Sequence, residues 1–539
     1  MEKIVKLLEK ISYKGRSPRV LTEFGKHWAK YERKRQIFNT KFQFKPTAIV
    51  LCEYTEHVQQ AIKIAKAFDY DIRVRSGGHD HEGECSGTDT ILIDLSKMNK
   101  VKVDKEAGVA RIGPGNPFDK LIPKLAKKDV CVPHGTCGTV NIAGFIMGGG
   151  WGPWTRIHGM CCESLVGATI VLGNGEALVL TPDCEQKELL WALRGGGGMS
   201  YGIVTELVIK TFPLPKTTIK FNAVWQYTPA FTVLKRWEDW IAPDNNPQLI
   251  GTNLMIMAIP KPKKPVPIKE AVHACTFFGY FAGSKEELHQ HMKVWFADMV
   301  PTTVTIIPPG IANDGKAEPH TFGSWDRLTA NSPLLGRNRP SLGAKTVFKL
   351  SDLDKPGLLH AEYIPPDVDD PAPHKITSRF TAENGWNDKG RESLISSLQS
   401  DLLFDEGEKA GLLCYVTLGA ITGQYYKKYK DPGFPGGSAF PYKKRRYTIQ
   451  YQAWWDQGEA DIKLGKEYNV HEYTNRAEDW IADCRKRDFP ETDGAFISFK
   501  DAGVPTRTYF LQSYDQLKKI KEKYSKDPNN RFRTRKTII

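Results

Sequence analysis

The residues best suited to chemistry near the start of the chain are a histidine and a cysteine, each beside glycine turns. His79 ends the segment Arg75-Ser76-Gly77-Gly78-His79, and Cys137 lies in a second glycine-rich stretch at 131–152. Because glycine has no side chain, such turns let the backbone approach an anion or a flat ligand closely. Each feature also has a structural explanation: the turn as a simple chain reversal, and Cys137 as a small buried residue.

Other familiar sites find less support. The chain has no Gly-x-x-x-x-Gly-Lys-Ser/Thr loop, which disfavours an ATP-hydrolysing enzyme. No strand leads into Gly-x-Gly-x-x-Gly at the start of a helix, so a Rossmann dinucleotide site is unsupported. The run His79-Asp80-His81-Glu82 has no further ligand at a recognisable metal spacing. Cys161 and Cys162 also lack such spacing, and we predict that they lie in the core.

The elements that must position these residues alternate between strand and helix in the first 213 residues. We predict strands at 48–52, 70–74, 91–95, 101–112, 168–172, 177–180 and 201–205 from apolar runs and alternation, and helices at 55–70, 118–126 and 189–193. Asn174-Gly175 predicts a hairpin turn between two of the strands. After Pro213 the chain changes to strands at 277–281 and 447–455, a helix at 286–299, and proline-rich loops at 260–267, 365–373 and 432–441. We therefore predict a second domain at 214–474.

Composition limits the class of protein. A chain of 539 residues exceeds one ordinary core, and 40% hydrophobic residues are typical of a globular protein. The net charge of +14 is spread along the chain without a nucleic-acid-binding motif, which favours an anionic cofactor or substrate over nucleic acid. The ten cysteines form no disulfide pattern. Neither a secretory signal nor a membrane-length apolar run occurs, so we expect a cytoplasmic protein that does not bind membranes.

Several motifs together resemble one family. In chain order they are Arg75 to Asp80, Ile93-Asp94-Leu95-Ser96, Cys137 with Gly148-Gly149-Gly150-Trp151-Gly152, Trp191 to Gly198, Tyr201 to Thr205, Tyr447 to Tyr451 with Trp454-Trp455, and a tail from Tyr514 to Arg533. This order is similar to that of the berberine bridge enzyme-like FAD-linked oxidases, in the vanillyl-alcohol oxidase/p-cresol methylhydroxylase superfamily. The resemblance covers nearly the whole chain.

The resemblance implies an α+β, two-domain fold of the vanillyl-alcohol oxidase type. Residues 1–213 and 475–539 would form the FAD domain, and 214–474 an antiparallel-sheet substrate domain. It implies FAD held by two covalent bonds, from His79 to the 8α-methyl group and from Cys137 to C6. Imidazole and thiolate are suited to adding to an electron-poor ring. Further cofactor contacts are expected from Arg75, Ser76, Gly77, Gly78, Ser96, Thr139, Val140, Gly144, Gly202, Val204 and Asn530.

The chain departs from the family at its catalytic tyrosines. His81 and Trp151 replace tyrosines near the flavin, and Phe496 and Phe499 replace those of the family's late Tyr-x-Asn-Tyr segment. We therefore expect His81 as the catalytic base, since its unperturbed pKa of about 6.5 suits neutral pH. His81 could equally be an ordinary loop residue. We expect Gln450 to hydrogen-bond the substrate oxygen, with Trp151 and the two phenylalanines forming an aromatic wall.

These expectations describe an FAD-dependent oxidase. Hydride would pass from a substrate C–H bond to flavin N5, and molecular oxygen would become hydrogen peroxide. The small side chain of Val140 corresponds to a position where family members admit oxygen. The substrate would be a hydrophobic or aromatic natural product, or a carbohydrate. Alternatives are a flavin dehydrogenase with another electron acceptor and a catalytically impaired flavin-binding protein; a protein that binds anions or nucleic acid is less consistent with the motifs.

Overall fold

The structure, a computed structural model, describes most of the chain. The described residues are 2–214, 218–258, 265–296, 299, 301, 303–307, 310–311, 317–318, 371–383, 385–403, 412–455, 470–488 and 492–539. The predicted loop at 365–373 and the loop at 260–267 therefore fall largely outside them, as do the last residues of the predicted helix at 286–299.

The first sheet presents the glycine turn. Its four strands lie in the order Arg19–Leu21, Ala48–Leu51, Ile91–Asp94 and Ile72–Arg75, of which the last three are parallel. Ala48–Leu51 and Ile91–Asp94 are buried throughout, as expected for parallel strands covered on both faces. The accompanying helices are Glu2–Glu9, Trp28–Arg35 and Thr55–Ala67. The predicted strand–helix–strand unit is confirmed.

The second sheet is antiparallel and has five strands. Their order is Val101–Asp104, Val109–Ile112, Ile203–Lys210, Leu165–Val171 and Ala177–Leu180. The prediction of one strand over 101–112 is wrong, because the chain turns back at Lys105–Gly108 and the two halves pair as a hairpin. The hairpin through Asn174-Gly175 is confirmed. Val130–Cys131 pairs separately with Phe212–Pro213.

Four short helices belong to the same part of the chain as this second sheet. They are Phe118–Ala126, Ile142–Met147, Thr155–His158 and Lys187–Leu193, with a 3₁₀ turn at Cys161–Ser164. The helix Ile142–Met147 lies inside the glycine-rich stretch and was not predicted. A methyl group added at Gly152 would lie 1.8 Å from the His134 carbonyl oxygen. Backbone therefore packs closely against backbone in this stretch.

The third sheet is antiparallel and has eight strands. Their order is Thr303–Ile307, Ile219–Trp225, Cys275–Phe281, Leu249–Met257, Leu412–Ala420, Tyr447–Trp455, His374–Thr381 and Thr492–Asp493. One face packs on helices Ala230–Trp240, Lys285–Phe296, Asp388–Ser397 and Val470–Asp488. The strand Thr492–Asp493 joins this sheet although it lies beyond residue 474, and the domain boundaries stay a prediction.

The remaining short elements connect these parts. They are Ile268–Glu270, Gly310–Ile311 paired with Ala317–Glu318, Asp401–Leu403, Gln424–Lys428, Ile497–Phe499, Thr506–Phe510, Leu511–Ser513 and Tyr514–Tyr524. After the last helix the tail returns to the first sheet. The backbone N–H of Ile72 donates to the carbonyl of Arg531, and Phe532 is buried among the side chains that cover this sheet. The two ends of the chain thus form one α+β unit.

Candidate functional site

A cavity lies between the glycine turns and the inner face of the eight-stranded sheet. Ile72–Arg75 delivers the turn to the cavity, and Ser76, Gly77, Gly78 and His79 line it. Arg75 does not reach this cavity. Its guanidinium donates to Asp94 Oδ2 at 2.7 and 3.1 Å, and both side chains are buried. This ion pair fixes the end of the strand, and a contact of Arg75 with the cofactor stays a prediction.

His79 is held by two neighbours. Its ring stacks on Phe38 with the centroids 4.0 Å apart, and its Nε2 lies 2.7 Å from Thr139 Oγ1. Burial, together with the nearby His81, lowers the pKa of His79 to about 3. The imidazole is therefore neutral at pH 7, the form that can act as a nucleophile. With Nε2 engaged by Thr139, Nδ1 is the nitrogen left to form a bond.

Cys137 lines the same cavity from the second glycine-rich stretch. Its loop runs from Val130–Cys131 to the start of the helix Ile142–Met147, and Cys137 is half-buried. Val140 also lines the cavity. Thr139, which contacts His79, lies between them. The structure thus brings His79, Cys137, Thr139 and Val140 together, although they come from two separate loops.

The shape and polarity of the cavity suit a flat, polar cofactor. A methyl group added at Gly144 would meet no atom within 4 Å, so this glycine leaves space inside the cavity. Gly202 and Val204 line the cavity. Ser498 Oγ is buried at the cavity without a hydrogen-bond partner among the residues that the structure describes. Such an atom can be satisfied by a ligand's polar group. The residues present therefore fit FAD.

A second opening adjoins the first at Ser76 and Gly77. It is lined by Lys30, Arg33, Lys34, Gln36, Arg75 and Asp94 besides these two residues. Burial and the charges of Arg19, Lys97, Lys34 and Arg33 lower the pKa of Lys30, which shows how closely the cations cluster. The cationic side chains at this opening suit a diphosphate. Ser96 lies nearby, where its Oγ accepts a hydrogen bond from Lys34 Nζ at 3.2 Å.

The opposite wall of the cavity is polar because of strand alternation. In the strand Tyr447–Trp455, every second side chain, beginning with Tyr447, packs in the core that the helices cover. The side chains between them lie on the cavity side of the sheet. Gln450, Gln452 and Trp454 are therefore cavity residues. Gln452 Oε1 accepts hydrogen bonds from Tyr415 Oη at 3.0 Å and Trp454 Nε1 at 3.2 Å.

Neighbouring strands extend this polar wall. Thr417 and Asn253 line the cavity beside the two glutamines. Asn253 is 3% exposed, and its Oδ1 has no hydrogen-bond donor within the described residues. Sequence reasoning found Gln450 but missed Asn253, Thr417 and Gln452. The alternation along 447–455 is a signal that could have indicated Gln452.

The expected aromatic wall is only partly present. Trp151 lines the cavity and donates from Nε1 to the Ala420 carbonyl at 2.8 Å, and Phe499 also lines it. Phe496 does not belong to this wall. It is 1% exposed and packs in the core against Phe380 and Phe440, where its apolar ring is removed from water. The interpretation that both phenylalanines contact substrate is wrong for Phe496.

His81 faces the cavity between two rings. It stacks on Phe499 with the centroids 5.4 Å apart, and its Nδ1 lies 2.9 Å from Nε2 of His374. Burial lowers the pKa of His81 to about 4, against the opposing charge of Asp80. His81 is thus neutral at pH 7, but it is a weaker base than its unperturbed pKa suggests. His374 was not found from the sequence.

One expected cofactor residue lies away from the cavity. Asn530 occupies the C-terminal tail with a φ of 50°, and its Oδ1 accepts a hydrogen bond from Lys521 at 2.7 Å. The tail reaches the cavity instead through Thr534 and Lys536.

The described residues form no metal site, no disulfide and no membrane-spanning helix. Within them, no group of three or more His, Cys, Asp or Glu side chains could hold a metal ion. All ten cysteines are free, and Cys161 and Cys162 are buried as expected. The described helices include none that is long and apolar enough to span a membrane.

Comparison with known proteins gives two family matches. Residues 46–181 match the model described as FAD binding domain, and residues 495–539 match the model described as berberine and berberine like. Berberine bridge enzyme-like 17 of Arabidopsis thaliana is 26% identical over 537 residues, covering 96% of this chain and 89% of that protein.

Solved structures share the fold. BBE-like 1 of Physcomitrella patens has a TM-score of 0.72 with 21% identity and covers 99% of both chains. Glucooligosaccharide oxidase of Acremonium strictum has a TM-score of 0.72 with 18% identity and covers 97% of both chains. The latter structure is described as carrying 6-S-cysteinyl, 8α-N1-histidyl FAD.

Proposed function

Because the chain is a berberine bridge enzyme-like FAD-linked oxidoreductase, we propose that it is an oxidase with flavin bonded to His79 and Cys137. Its reaction would be the oxidation of a hydroxyl-bearing carbon, with molecular oxygen as the electron acceptor and hydrogen peroxide as the product. Bound FAD would supply the acceptor for the substrate hydride and the route for electrons to oxygen.

One observation carries this proposal: two nucleophiles and a wall of amides face each other across one cavity. His79 and Cys137 line the side formed by the glycine turns, and Gln450 and Gln452 line the side formed by the sheet. A planar cofactor fixed on the first side would present one face to a substrate bound on the second. Such an arrangement would hold a reacting carbon against the cofactor.

The attachment of FAD is supported by the state of His79. Its neutral imidazole and the contact of Nε2 with Thr139 favour bonding through Nδ1. The Acremonium strictum enzyme is described with one histidyl and one cysteinyl bond to its flavin. The cationic opening beside Ser76 would hold the diphosphate of the same cofactor.

The substrate class follows from the mixed character of the cavity. The free Oδ1 of Asn253 needs a hydrogen-bond donor, and the amides of Gln450 and Gln452 can donate to or accept from hydroxyl groups. Trp151, Trp454 and Phe499 provide aromatic surface beside them. This combination suits a polyhydroxylated ring that stacks on an aromatic face, as carbohydrates do, or a hydroxylated aromatic natural product.

Anaerobic reduction of the flavin tests this function. Purified holoenzyme is mixed without oxygen with oligosaccharides, aromatic alcohols and hydroxylated alkaloids, and the flavin absorbance is followed. We expect bleaching by one hydroxylated class and peroxide formation on aeration. Bleaching by dithionite but by no organic compound would indicate an impaired flavin-binding protein. Reoxidation by an artificial acceptor but not by oxygen would indicate a dehydrogenase.

Replacement of Val140 tests the oxygen path. Val140→Leu adds a methylene group at the cavity wall and should slow reoxidation of substrate-reduced flavin about tenfold, or about 1.4 kcal/mol in activation free energy. Stopped-flow mixing of the reduced enzyme with aerated buffer measures this rate. Val179→Leu is the matched control, because Val179 is 66% exposed. Equal reoxidation rates in the two variants would contradict a role for Val140 in oxygen access.

A further inference from the structure

We propose that His374 is a positioning residue that fixes the tautomer of His81, so that Nε2 of His81 accepts the hydroxyl proton of the substrate. This inference rests on the proposed function, because it assigns a task in the same oxidation. His374 begins the strand His374–Thr381, whereas His81 lies almost three hundred residues earlier, just after the glycine turn Ser76-Gly77-Gly78, called the flavin turn below. Tertiary structure alone brings the two rings together.

The proton positions follow from the hydrogen bonds of His374. Its Nδ1 lies 2.8 Å from the carbonyl oxygen of Ala372, which can only accept a hydrogen bond. Nδ1 of His374 therefore carries a proton. The ring is fully buried, and burial holds the pKa of His374 well below its usual value, so the ring is neutral. Its other nitrogen, Nε2, consequently presents a lone pair.

This lone pair determines the tautomer of His81. Nε2 of His374 lies 2.9 Å from Nδ1 of His81, so Nδ1 must be the donor in this bond. A neutral His81 with its proton on Nδ1 has its only free lone pair on Nε2. His81 lines the cavity, and Nε2 is thus the ring nitrogen that can receive a proton there.

The surroundings keep both rings in this arrangement. The side-chain amide of Asn39 donates to the backbone carbonyls of His81, at 2.6 Å, and His374, at 3.0 Å. Its Oδ1 accepts the backbone N–H of His374 at 3.2 Å. Trp454 packs on the His374 ring with centroids 4.1 Å apart, and Phe499 covers His81. One asparagine therefore joins the two histidine-bearing segments.

In the resulting step the substrate loses one proton and one hydride. The O–H bond of the substrate would break, its proton forming an N–H bond with Nε2 of His81 while its electron pair forms the C=O bond. The hydride from the same carbon would carry two electrons to bound FAD, which supplies the acceptor. His374 forms and breaks no bond in this step. Its contribution is to prevent the other tautomer, in which Nε2 of His81 would already carry a proton and could not accept one.

The test compares two replacements of His374 in the holoenzyme. In His374→Gln the side-chain oxygen can stand near the position of Nε2 and accept from His81, whereas His374→Leu removes the acceptor. We expect His374→Leu to lower the flavin reduction rate at saturating substrate by about 10²-fold, within the range for a positioned base, with little change in KM. His374→Gln should recover most of this rate. In a His81→Gln background, His374→Leu should cause no further loss.

His273→Leu is the matched structural control. His273 is 1% exposed and, like His374, has Nδ1 2.8 Å from a backbone carbonyl, that of Met257. It does not line the cavity, so its replacement should leave the reduction rate unchanged. If His374→Leu also leaves the rate unchanged, or lowers it equally in the His81→Gln background, the proposed positioning role is wrong.

A second readout does not depend on turnover. Nitrogen-15 spectra of histidine-labelled holoenzyme, assigned by comparison with His81→Gln, report which nitrogen of His81 carries the proton. We expect the proton on Nδ1 in the unmutated protein and in His374→Gln, and a mixture of tautomers in His374→Leu. A proton on Nε2 in the unmutated protein overturns the inference. A proton on Nδ1 in a protein whose flavin no substrate reduces supports the positioning by His374 while rejecting the proposed function.

Discussion

Acid-precipitated protein should retain its yellow flavin, and the single variants His79→Ala and Cys137→Ala should each retain it through the remaining bond. Only the double variant should release all of the flavin into the supernatant. The physical reason is that acid unfolds the chain and abolishes every noncovalent contact, but it leaves C–N and C–S bonds intact. His79 and Cys137 reach the same cavity from separate loops, so neither bond depends on the other.

Mass spectrometry of proteolytic peptides gives the position of each bond. The flavin mass should appear on the peptide containing Cys137 in His79→Ala, and on the peptide containing His79 in Cys137→Ala. Cys85→Ala is the matched control, because Cys85 is half-buried and lines the same cavity. Flavin that washes out of the unmutated precipitate would reject covalent attachment.

Replacement of Lys375 by methionine should destabilise the folded protein by about 3–5 kcal/mol, the usual effect of removing one partner from a buried ion pair. Lys375 Nζ lies 2.5 Å from Glu82 and 3.1 Å from Asp501, and all three side chains are at most 6% exposed. Without the ammonium group, these two buried carboxylates lose the cation that they share, although Arg535 still pairs with Glu82 at 3.3 Å and Arg485 with Asp501 at 2.5 Å. Although burial opposes the shift, Asp501 and Glu82 raise the pKa of Lys375, which shows how strongly they stabilise its charge.

Thermal or urea unfolding monitored by tryptophan fluorescence measures this effect. Lys269→Met is the control, since Lys269 is 52% exposed and pairs with Asp388 and Glu392 at the surface. Such exposed pairs contribute little to stability, because water and salt screen the charges. The triple variant Lys375→Met, Glu82→Gln, Asp501→Asn should recover part of the loss, because it removes the two buried carboxylates that have lost their shared lysine. An effect of Lys375→Met no larger than that of Lys269→Met would contradict this role.

Lys375 and its two partners connect three parts of the chain that surround the cavity. Glu82 follows the flavin turn, Lys375 belongs to the eight-stranded sheet, and Asp501 lies in the C-terminal segment. Lys500, next to Asp501, pairs with Asp80 at 2.7 Å and Glu84 at 3.0 Å and lines the cavity. Because Lys375 joins Glu82, just after the glycine turn, to the sheet that faces it, the Lys375 variant should also bind FAD less completely.

The sequence alone predicts the strands and turns that are set by neighbouring residues. Apolar runs and alternation predicted the strands Ala48–Leu51, Ile91–Asp94 and Tyr447–Trp455, and Asn174-Gly175 predicted its hairpin. These features depend on neighbours within a few residues, where backbone geometry and side-chain type decide the conformation. The ordered glycine, histidine and cysteine motifs also indicated the FAD-binding family.

Contacts between residues far apart in the chain are visible only in the tertiary structure. The pairing of His81 with His374, the direction of Phe496 into the core, and the polar wall shared by Asn253 and Gln452 arise between segments separated by tens to hundreds of residues. The lowered pKa of His81 is a consequence of burial, which a sequence motif does not report. Local residue types therefore set the turns and strands, whereas desolvation and long-range packing set the protonation and orientation of the groups at the site.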